Sequence, residues 1–200
     1  QDADGGFTPH APTCQKRPPK TGVVFVGNMT DIFGDWNGEE QIGNWLRSLS
    51  ICAENLVLTK RTRRLANLIP QCWNLSIHFG MTAENQERYN ERIKDFRCVY
   101  QLGNAWLSAE PLLGLIDLQL QYIASEDIPF DWVVVGAESG PNRRPCKLEW
   151  VESVVGQCLH YKIPVFVKQL DIDGKLVTDI NKFPEHLQIR QVPWKERTKQ

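Results

Sequence analysis

The spacing of short apolar runs is the feature that most constrains the fold of this chain. Six runs rich in Val, Ile, Leu and aromatic residues recur at intervals of roughly 30 residues, the length of one strand–helix unit. They occupy residues 22–27, 55–59, 73–80, 104–109, 131–136 and 163–168. Their interiors carry almost no charge, which is typical of strands buried on both faces. The spacing therefore predicts a mainly parallel sheet.

Segments with helical periodicity separate the apolar runs. They span residues 39–54, 61–70, 85–100 and 147–161. The last segment has one apolar face, formed by Leu148, Val151, Val154, Val155 and Leu159. Strands that alternate with such helices through right-handed crossovers form either a doubly wound sheet or an incomplete eight-fold barrel. We expect an α/β fold of about six strand–helix units, arranged as a partial TIM-like barrel.

The length and the local composition predict one domain with two appendages. Two hundred residues that are 42% hydrophobic suffice for one sizeable core. Residues 1–21 are rich in Gly, Pro and polar residues without periodicity, which predicts an extended lead-in. Residues 22–170 form the partial barrel. Residues 171–200 break the rhythm and are expected to pack on the barrel as an extension that contains a small hairpin at "GKLV".

The charge balance argues against a general affinity for polyanions. The chain has 23 basic and 24 acidic residues and a net charge of -1. Binding to nucleic acid is possible only through a local patch and is not indicated by the net charge. Apolar runs of about five or six residues are far shorter than the ~20 residues of a membrane helix, and no signal-peptide pattern is present. We therefore expect a cytoplasmic protein with no membrane partner.

The cysteines and histidines lack the spacing of metal ligands. The six cysteines lie at positions 14, 52, 72, 98, 146 and 158, mostly within apolar segments, as expected of buried thiols in a reducing compartment. None of the four histidines has an evident partner, and His78 falls inside a strand, where a core histidine is expected. Motifs of phosphate loops, dinucleotide sites, nucleophile elbows and zinc proteases are absent. The sequence predicts no cofactor and no metal in this chain.

Polar residues follow each of the six apolar runs. In parallel α/β folds the carboxyl ends of the strands lie at one edge of the sheet, where the loops form the binding site. We therefore expect a polar pocket at that edge. The candidates, in strand order, are Asn28 and Asp31, Lys60 and Arg61, Glu84 and Asn85, Ser108 and Glu110, Glu138 and Ser139, and Lys168 and Gln169.

Glu110 and Glu138 are the leading candidates among these residues. Glu110 precedes Pro111, which disfavours a helical conformation, and Glu138 lies in a turn flanked by glycines. Carboxylates grouped with cations share protons or bind a polar substrate. The alternative role is structural, an internal salt bridge with Lys60 or Lys168.

Other members of the set have ordinary explanations as well. Asn85 is equally suited to capping the helix that follows it. Arg143 and Arg144 follow the glycine turn and are candidates for binding a phosphate or carboxylate with two hydrogen bonds each. They fit a plain surface loop equally well.

A family resemblance rests on six segments in chain order. They are "FVGNMTDIFG", "LTKRTRRL", "FGMTAENQ", "WLSAEPLLGLIDL", "DWVVVGAESGPNRRP" and "IPVFVKQL". Together they resemble the signature segments of a phage and bacterial family, the domain of unknown function 5131 family, also known as phage gene product 37/68-like proteins. The resemblance covers roughly residues 5–185. The residues that match its recurring polar positions are Asn28, Asp31, Lys60, Glu84, Asn85, Glu110, Glu138, Ser139 and Lys168.

The resemblance implies a partial barrel of the radical-SAM type. In such relatives a segment resembling "GCxxxSxGCxxCYA" offers three cysteines to an iron–sulfur cluster. This sequence has no such segment, since Cys14 is isolated, and "GGFTPHAPT" resembles the segment that follows the motif. We therefore expect that the chain starts downstream of the cluster-binding segment and is inactive by itself.

Three hypotheses follow for the function. The first is a phage-type partial barrel of unassigned reaction with a polar pocket at the strand carboxyl ends. The second is that a full-length form carries the three cysteines and, with S-adenosylmethionine (SAM) and an iron–sulfur cluster, modifies a nucleic acid, nucleotide or protein. The third is a non-catalytic module that binds an anion or a partner. The partner is thus an unknown small molecule or macromolecular substrate.

Overall fold

The computed structural model describes most of the chain from residue 22 onward. The described ranges are 22–27, 30–49, 53–72, 76–100, 104–122 and 128–194. The predicted lead-in at residues 1–21 and the candidate Asn28 lie outside them.

Six strands form one parallel sheet. They are β1 (Gly22–Val26), β2 (Ala53–Thr59), β3 (Ile77–Thr82), β4 (Ala105–Ala109), β5 (Trp132–Val135) and β6 (Val165–Val167). Each strand pairs in parallel with the next one along the chain, so the strand order in space is the order in sequence. The sheet curls into a half-barrel. The predicted α/β partial barrel is confirmed.

Four helices lie between the strands. They are α1 (Glu39–Ser48), α2 (Thr62–Cys72), α3 (Gln86–Tyr100) and α4 (Leu148–His160). The main core lies between these helices and the convex face of the sheet, and includes Val57, Phe79, Leu107, Val133 and Val165 from the strands. None of the helices in the described ranges is both long and apolar enough to cross a membrane.

The largest differences from the prediction concern two boundaries and one helix face. Helix α1 ends at Ser48 rather than at residue 54, because Leu49 is extended and β2 begins at Ala53. Strand β3 begins at Ile77 rather than at residue 73. In α4 the apolar face continues through buried Cys158, whereas Leu159 is exposed.

The C-terminal segment packs on the last strand. Strands β7 (Leu170–Ile172) and β8 (Lys175–Val177) form the predicted antiparallel hairpin, with β7 starting at Leu170. Residues 189–191 then run antiparallel to β6, where the amide of Val167 donates to the carbonyl of Ile189 at 2.9 Å. This segment therefore covers the edge of the sheet at β6.

Candidate functional site

The concave face of the sheet carries a row of aromatic rings that we call the aromatic belt. It consists of Phe25, Trp106, Trp132 and Phe166, from β1, β4, β5 and β6. The centroid distances between consecutive rings are 6.1, 5.3 and 6.1 Å. Because alternate residues of a strand face opposite sides, these rings point away from the helices. The belt therefore crosses the concave face from the first strand to the last.

A glycine on the intervening strand gives the belt room. The indole of Trp106 lies over Gly80 of β3, and its Nε1 donates to the carbonyl of His78 at 3.0 Å. A Cβ atom at Gly80 would lie 2.3 Å from Cε2 of Trp106. Since real Cβ atoms do not approach another atom so closely, residue 80 must be a glycine for the indole to keep this position.

The C-terminal segment closes the belt at the amino end of the strands. The ring of Trp194 contacts Trp132 at 4.9 Å and His78 at 5.3 Å between centroids, and Nε1 of Trp132 donates to the carbonyl of Gln191 at 2.8 Å. His78 is buried, as predicted, but it has a partner that the sequence did not reveal. Its Nε2 lies 2.5 Å from a carboxylate oxygen of Glu54.

A cavity of about 590 Å³ opens on the other side of the belt, toward the carboxyl ends of the strands. This volume lies within the usual range for small-molecule sites. Its apolar walls include Phe25, Leu58, Val134 and Phe166 beside the edges of the two tryptophans. Its polar rim consists of Ser108, Glu110, Glu138, Ser139 and Lys168.

Glu110 is held at this rim by two donors. Its Oε1 accepts hydrogen bonds from Nζ of Lys168 at 2.7 Å and from Nε2 of Gln169 at 2.8 Å. Gln169 is buried and also donates to the carbonyl of Ala137 at 2.6 Å. The predicted alternative, an ion pair between Glu110 and Lys168, is therefore present. The buried amide keeps the carboxylate in place independently of the lysine.

Glu138 is paired within its own loop. Its carboxylate accepts from Nη2 of Arg144 at 2.6 Å, from Nε at 2.8 Å and from the Arg144 backbone amide at 2.8 Å. These hydrogen bonds lower the pKa of Glu138 to about 2. The alternative role, a salt bridge, is present at Glu138, but the partners named for it, Lys60 and Lys168, are wrong. Arg144 is the partner, because the chain returns to Glu138 after the turn that contains Gly140, whose φ is +111°. Gly136 admits a neighbouring backbone, since a Cβ there would lie 3.2 Å from the carbonyl oxygen of Gln169.

Replacing Glu138 by Gln should lower the melting temperature most at neutral pH. A carboxylate whose pKa is depressed by folding contributes stability above its unfolded pKa and loses that contribution as the pH falls through the folded value. The difference between wild type and Glu138→Gln should therefore shrink as the pH approaches about 2. Thermal denaturation at a series of pH values measures it. A difference that grows toward acid pH would contradict the pairing, and Arg144→Gln should show the same pH trend as Glu138→Gln.

A second polar cluster lies at the carboxyl ends of β1 to β3. Glu84 accepts from Nζ of Lys60 at 2.6 Å and from Nη1 of Arg92 at 2.8 Å, and Arg92 also donates to the carbonyl of Thr82 at 2.7 Å. Burial opposes ionisation of Glu84, but the Lys60 hydrogen bond and the charges of Arg92 and Lys60 outweigh it and lower its pKa.

Asp31 fastens the loop after β1 to the end of β2. The hydroxyl of Thr59 donates to its two oxygens at 2.8 and 2.9 Å, and the amides of Phe33 and Lys60 each donate at 3.0 Å. Nη1 of Arg61 adds an ion pair at 3.3 Å. Four donor groups on one carboxylate indicate a structural role for this residue.

The remaining candidates have local partners. Asn85 caps α3, because its Oδ1 accepts from the amide of Arg88 at 3.0 Å. Arg143 lies 3.9 Å from Asp171 and donates to the carbonyl of Gly174. Both guanidinium groups predicted to bind an anion, those of Arg143 and Arg144, are thus engaged by the protein itself.

The structure sorts the sequence-derived candidates into two groups at the same edge. Ser108, Glu110, Glu138, Ser139 and Lys168 line the cavity, and Gln169 supports them. The second group surrounds Asp31 and Glu84, and no residue of it lines the cavity. Sequence reasoning missed the aromatic belt, although the pairs Trp106–Ser108 and Phe166–Lys168, each two residues apart, indicated one face with an aromatic base and a polar end.

The cysteines whose side chains the structure describes, Cys98, Cys146 and Cys158, lie apart from any group of metal ligands. Burial raises the pKa of Cys146 to about 11 and that of Cys158 to about 12, whereas Cys98 is exposed. Within the described ranges, no three His, Cys, Asp or Glu residues are placed to hold a metal ion. Cys14 and Cys52 lie outside these ranges, and the structure describes the backbone of Cys72 but not its side chain. The expectation of no cofactor in this chain therefore stays a prediction.

These features define an α/β half-barrel with a cavity of ligand size on its concave face. The model of a family of proteins of unknown function, DUF5131, matches residues 9–187. The chain belongs to this family, as the six segments predicted. Searches of curated proteins and of solved structures found no match.

Proposed function

We propose that this chain is the half-barrel of a radical-SAM-type, phage-type protein and that it binds a small-molecule ligand in the concave-face cavity. The observation that carries the proposal is the cavity, which has an apolar base and a rim of carboxylate, ammonium and hydroxyl groups. A site of this composition holds the body of a ligand by burial and orients it by a few polar contacts.

The position of the cavity in the fold supports this proposal. In parallel α/β folds, ligands bind at the carboxyl ends of the strands, because the strands hold the loops there in a rigid arrangement. Glu110 follows β4 and Glu138 follows β5, two neighbouring strands. The buried amide of Gln169 and the backbone amide of Arg144 hold these carboxylates in position before any ligand arrives. Preorganisation of this kind lowers the entropic cost of binding.

The radical-SAM relationship is supported by the six consecutive parallel strands and by the polar edge. A bound cluster with S-adenosylmethionine would supply the radical chemistry. The described residues offer no ligand set for a cluster, so we assign no reaction step to them. We propose that the protein binds its ligand in the cytoplasm.

The test is a variant that fills the cavity. Leu58→Trp places a larger side chain on the cavity wall, whereas Leu115→Trp places it on an exposed site away from the cavity and serves as the control. We expect S-adenosylmethionine or members of a fragment library to bind the wild type and the control, and to bind Leu58→Trp at least about tenfold more weakly in calorimetry. Fragment binding without S-adenosylmethionine binding would remove the radical-SAM assignment and keep the site. Equal binding to Leu58→Trp would refute the site.

The metal content of the chain is a separate prediction. We expect less than one equivalent of iron or zinc in anaerobically purified protein, because the cysteines lack ligand spacing. Elemental analysis by mass spectrometry measures it. Stoichiometric iron together with the absorption of a cluster would show that cysteines distant in sequence converge.

A further inference from the structure

We infer that the cavity selects an organic cation with a planar ring, held by its ring against the aromatic belt and by its charge at Glu110 and Glu138. This inference rests on the proposed function, since it names the class of ligand for the same site.

The carboxylates at the rim of the cavity are less exposed than the cations that pair with them. The side chain of Glu110 is 16% exposed and that of its partner Lys168 is 52% exposed. The corresponding values are 24% for Glu138 and 59% for Arg144. In both pairs the carboxylate is the sheltered member, and the cation lies at the end of a long side chain in solvent.

Both carboxylates have a second hydrogen-bond donor besides the side chain of the paired cation. Glu110 keeps its hydrogen bond from the buried Gln169, and Glu138 keeps the one from the backbone amide of Arg144. Each carboxylate therefore has a donor that does not depend on the side chain of its cationic partner. The fixed charge of the rim is negative, so a ligand cation can replace Lys168 on Glu110 without rearranging the backbone.

The walls of the cavity carry aromatic rings. The faces of aromatic rings carry partial negative charge and attract cations, most strongly where water is displaced. Phe25 and Phe166 line the cavity from β1 and β6, with the tryptophan pair between them. Planar ligands also stack on such rings. An anion of the same size would meet the two sheltered carboxylates, and its only favourable partners at the described rim would be the exposed cations of Lys168 and Arg144, which the carboxylates already engage. The guanidinium of Arg190 lies over the ring of Phe166 at 5.4 Å from its centroid, which shows that a cation is accommodated against this ring.

The experiment compares three probes of one shape and different charge. They are 2-naphthylmethylamine, which is cationic at neutral pH, 2-naphthylmethanol, which is neutral, and 2-naphthoate, which is anionic. We expect calorimetry to show that the amine binds at least about tenfold more tightly than the alcohol, and that the carboxylate binds most weakly.

Two variants should change the affinity for the amine in opposite directions. Glu110→Gln should weaken the amine about tenfold and leave the alcohol unchanged, because the naphthyl contacts remain. Lys168→Met should tighten the amine, because it removes the competing cation from Glu110. Glu149→Gln on α4, an exposed carboxylate outside the cavity, is the control and should change nothing.

The outcomes separate this inference from the proposed function. If the alcohol or the carboxylate binds as well as the amine, or if Lys168→Met abolishes amine binding, the inference is wrong and the cavity remains a ligand site. If none of the probes binds and Leu58→Trp affects the binding of no ligand, both this inference and the proposed function are wrong.

Discussion

Replacing Gly80 by Ala should lower the free energy of unfolding by about 2 to 3 kcal/mol, because overpacking a filled site forces side chains and backbone apart. The added methyl group would lie 2.3 Å from the indole of Trp106, which is fastened to the carbonyl of His78 and packed against Trp132. The indole therefore cannot move away from the added methyl group without losing these contacts. Chemical denaturation measures the loss.

Gly156 on α4 provides the matched control. Nothing lies within 4 Å of a Cβ at this exposed helical position. Gly156→Ala should raise stability by about 0.5 to 1 kcal/mol, because alanine loses less backbone entropy on folding into a helix. If Gly80→Ala behaved like Gly156→Ala, the close approach of Trp106 would not be a feature of the molecule in solution.

A double-mutant cycle locates the cause of the loss. Trp106→Leu removes the indole atoms that meet the new methyl group, so the cost of Gly80→Ala in that background should fall below about 1 kcal/mol. The difference between the cost of Gly80→Ala in the two backgrounds is the energy of the clash between the added methyl group and the indole. Additive effects would place the cost in β3 itself rather than in its contact with the belt.

Replacing Arg92 by Met should cost about 3 kcal/mol at neutral pH. The variant keeps much of the apolar stem but removes one of the two cations on Glu84, whose side chain is 12% exposed, and it also leaves the carbonyl of Thr82 without this donor. Breaking a buried ion pair costs about 3 to 5 kcal/mol, and the remaining partner Lys60 places this case at the lower end.

Arg88, one turn earlier on α3, is the matched control. Its ion pair with Glu91 is exposed on both sides, so Arg88→Met should leave stability almost unchanged. The contribution of the Glu84 cluster also has a defined pH dependence. Because folding lowers the pKa of Glu84, the stabilisation is present above its unfolded pKa and is lost as the pH falls through the folded value. Equal losses for Arg92→Met at neutral and strongly acid pH would contradict this assignment.

The two polar clusters at the carboxyl ends of the strands have different roles. Around Asp31 and Glu84, carboxylates are saturated by donors and hold loops to strands, so substitutions there should act on stability. Around Glu110 and Glu138, the carboxylates border a cavity and their cations are exposed, so substitutions there should act on binding, and at Glu138 on stability as well.

The parallel pairing and the edge that carries the polar residues were predictable from the sequence. Apolar runs a strand–helix unit apart favour parallel strands joined by right-handed crossovers. The same spacing fits a doubly wound sheet, in which the spatial order of the strands differs from the chain order, so the tertiary structure decided the strand order. Polar residues at the ends of such runs must then meet at one edge. Glu110 and Glu138 lie together for this reason, and the sequence quoted around each was sufficient to place them.

The choice of partners was decided only in three dimensions. Lys60 pairs with Glu84, and Glu138 pairs with Arg144, because the curl of the sheet and the turn at Gly140 set which side chains reach each other. The aromatic belt has the same origin. Rings separated by tens of residues in the chain become neighbours only when the sheet curls, and the position of Trp106 depends on the absence of a side chain at Gly80 on the adjacent strand. Local periodicity determines which face a residue takes, whereas distances across a curved face arise from the packing of the whole sheet.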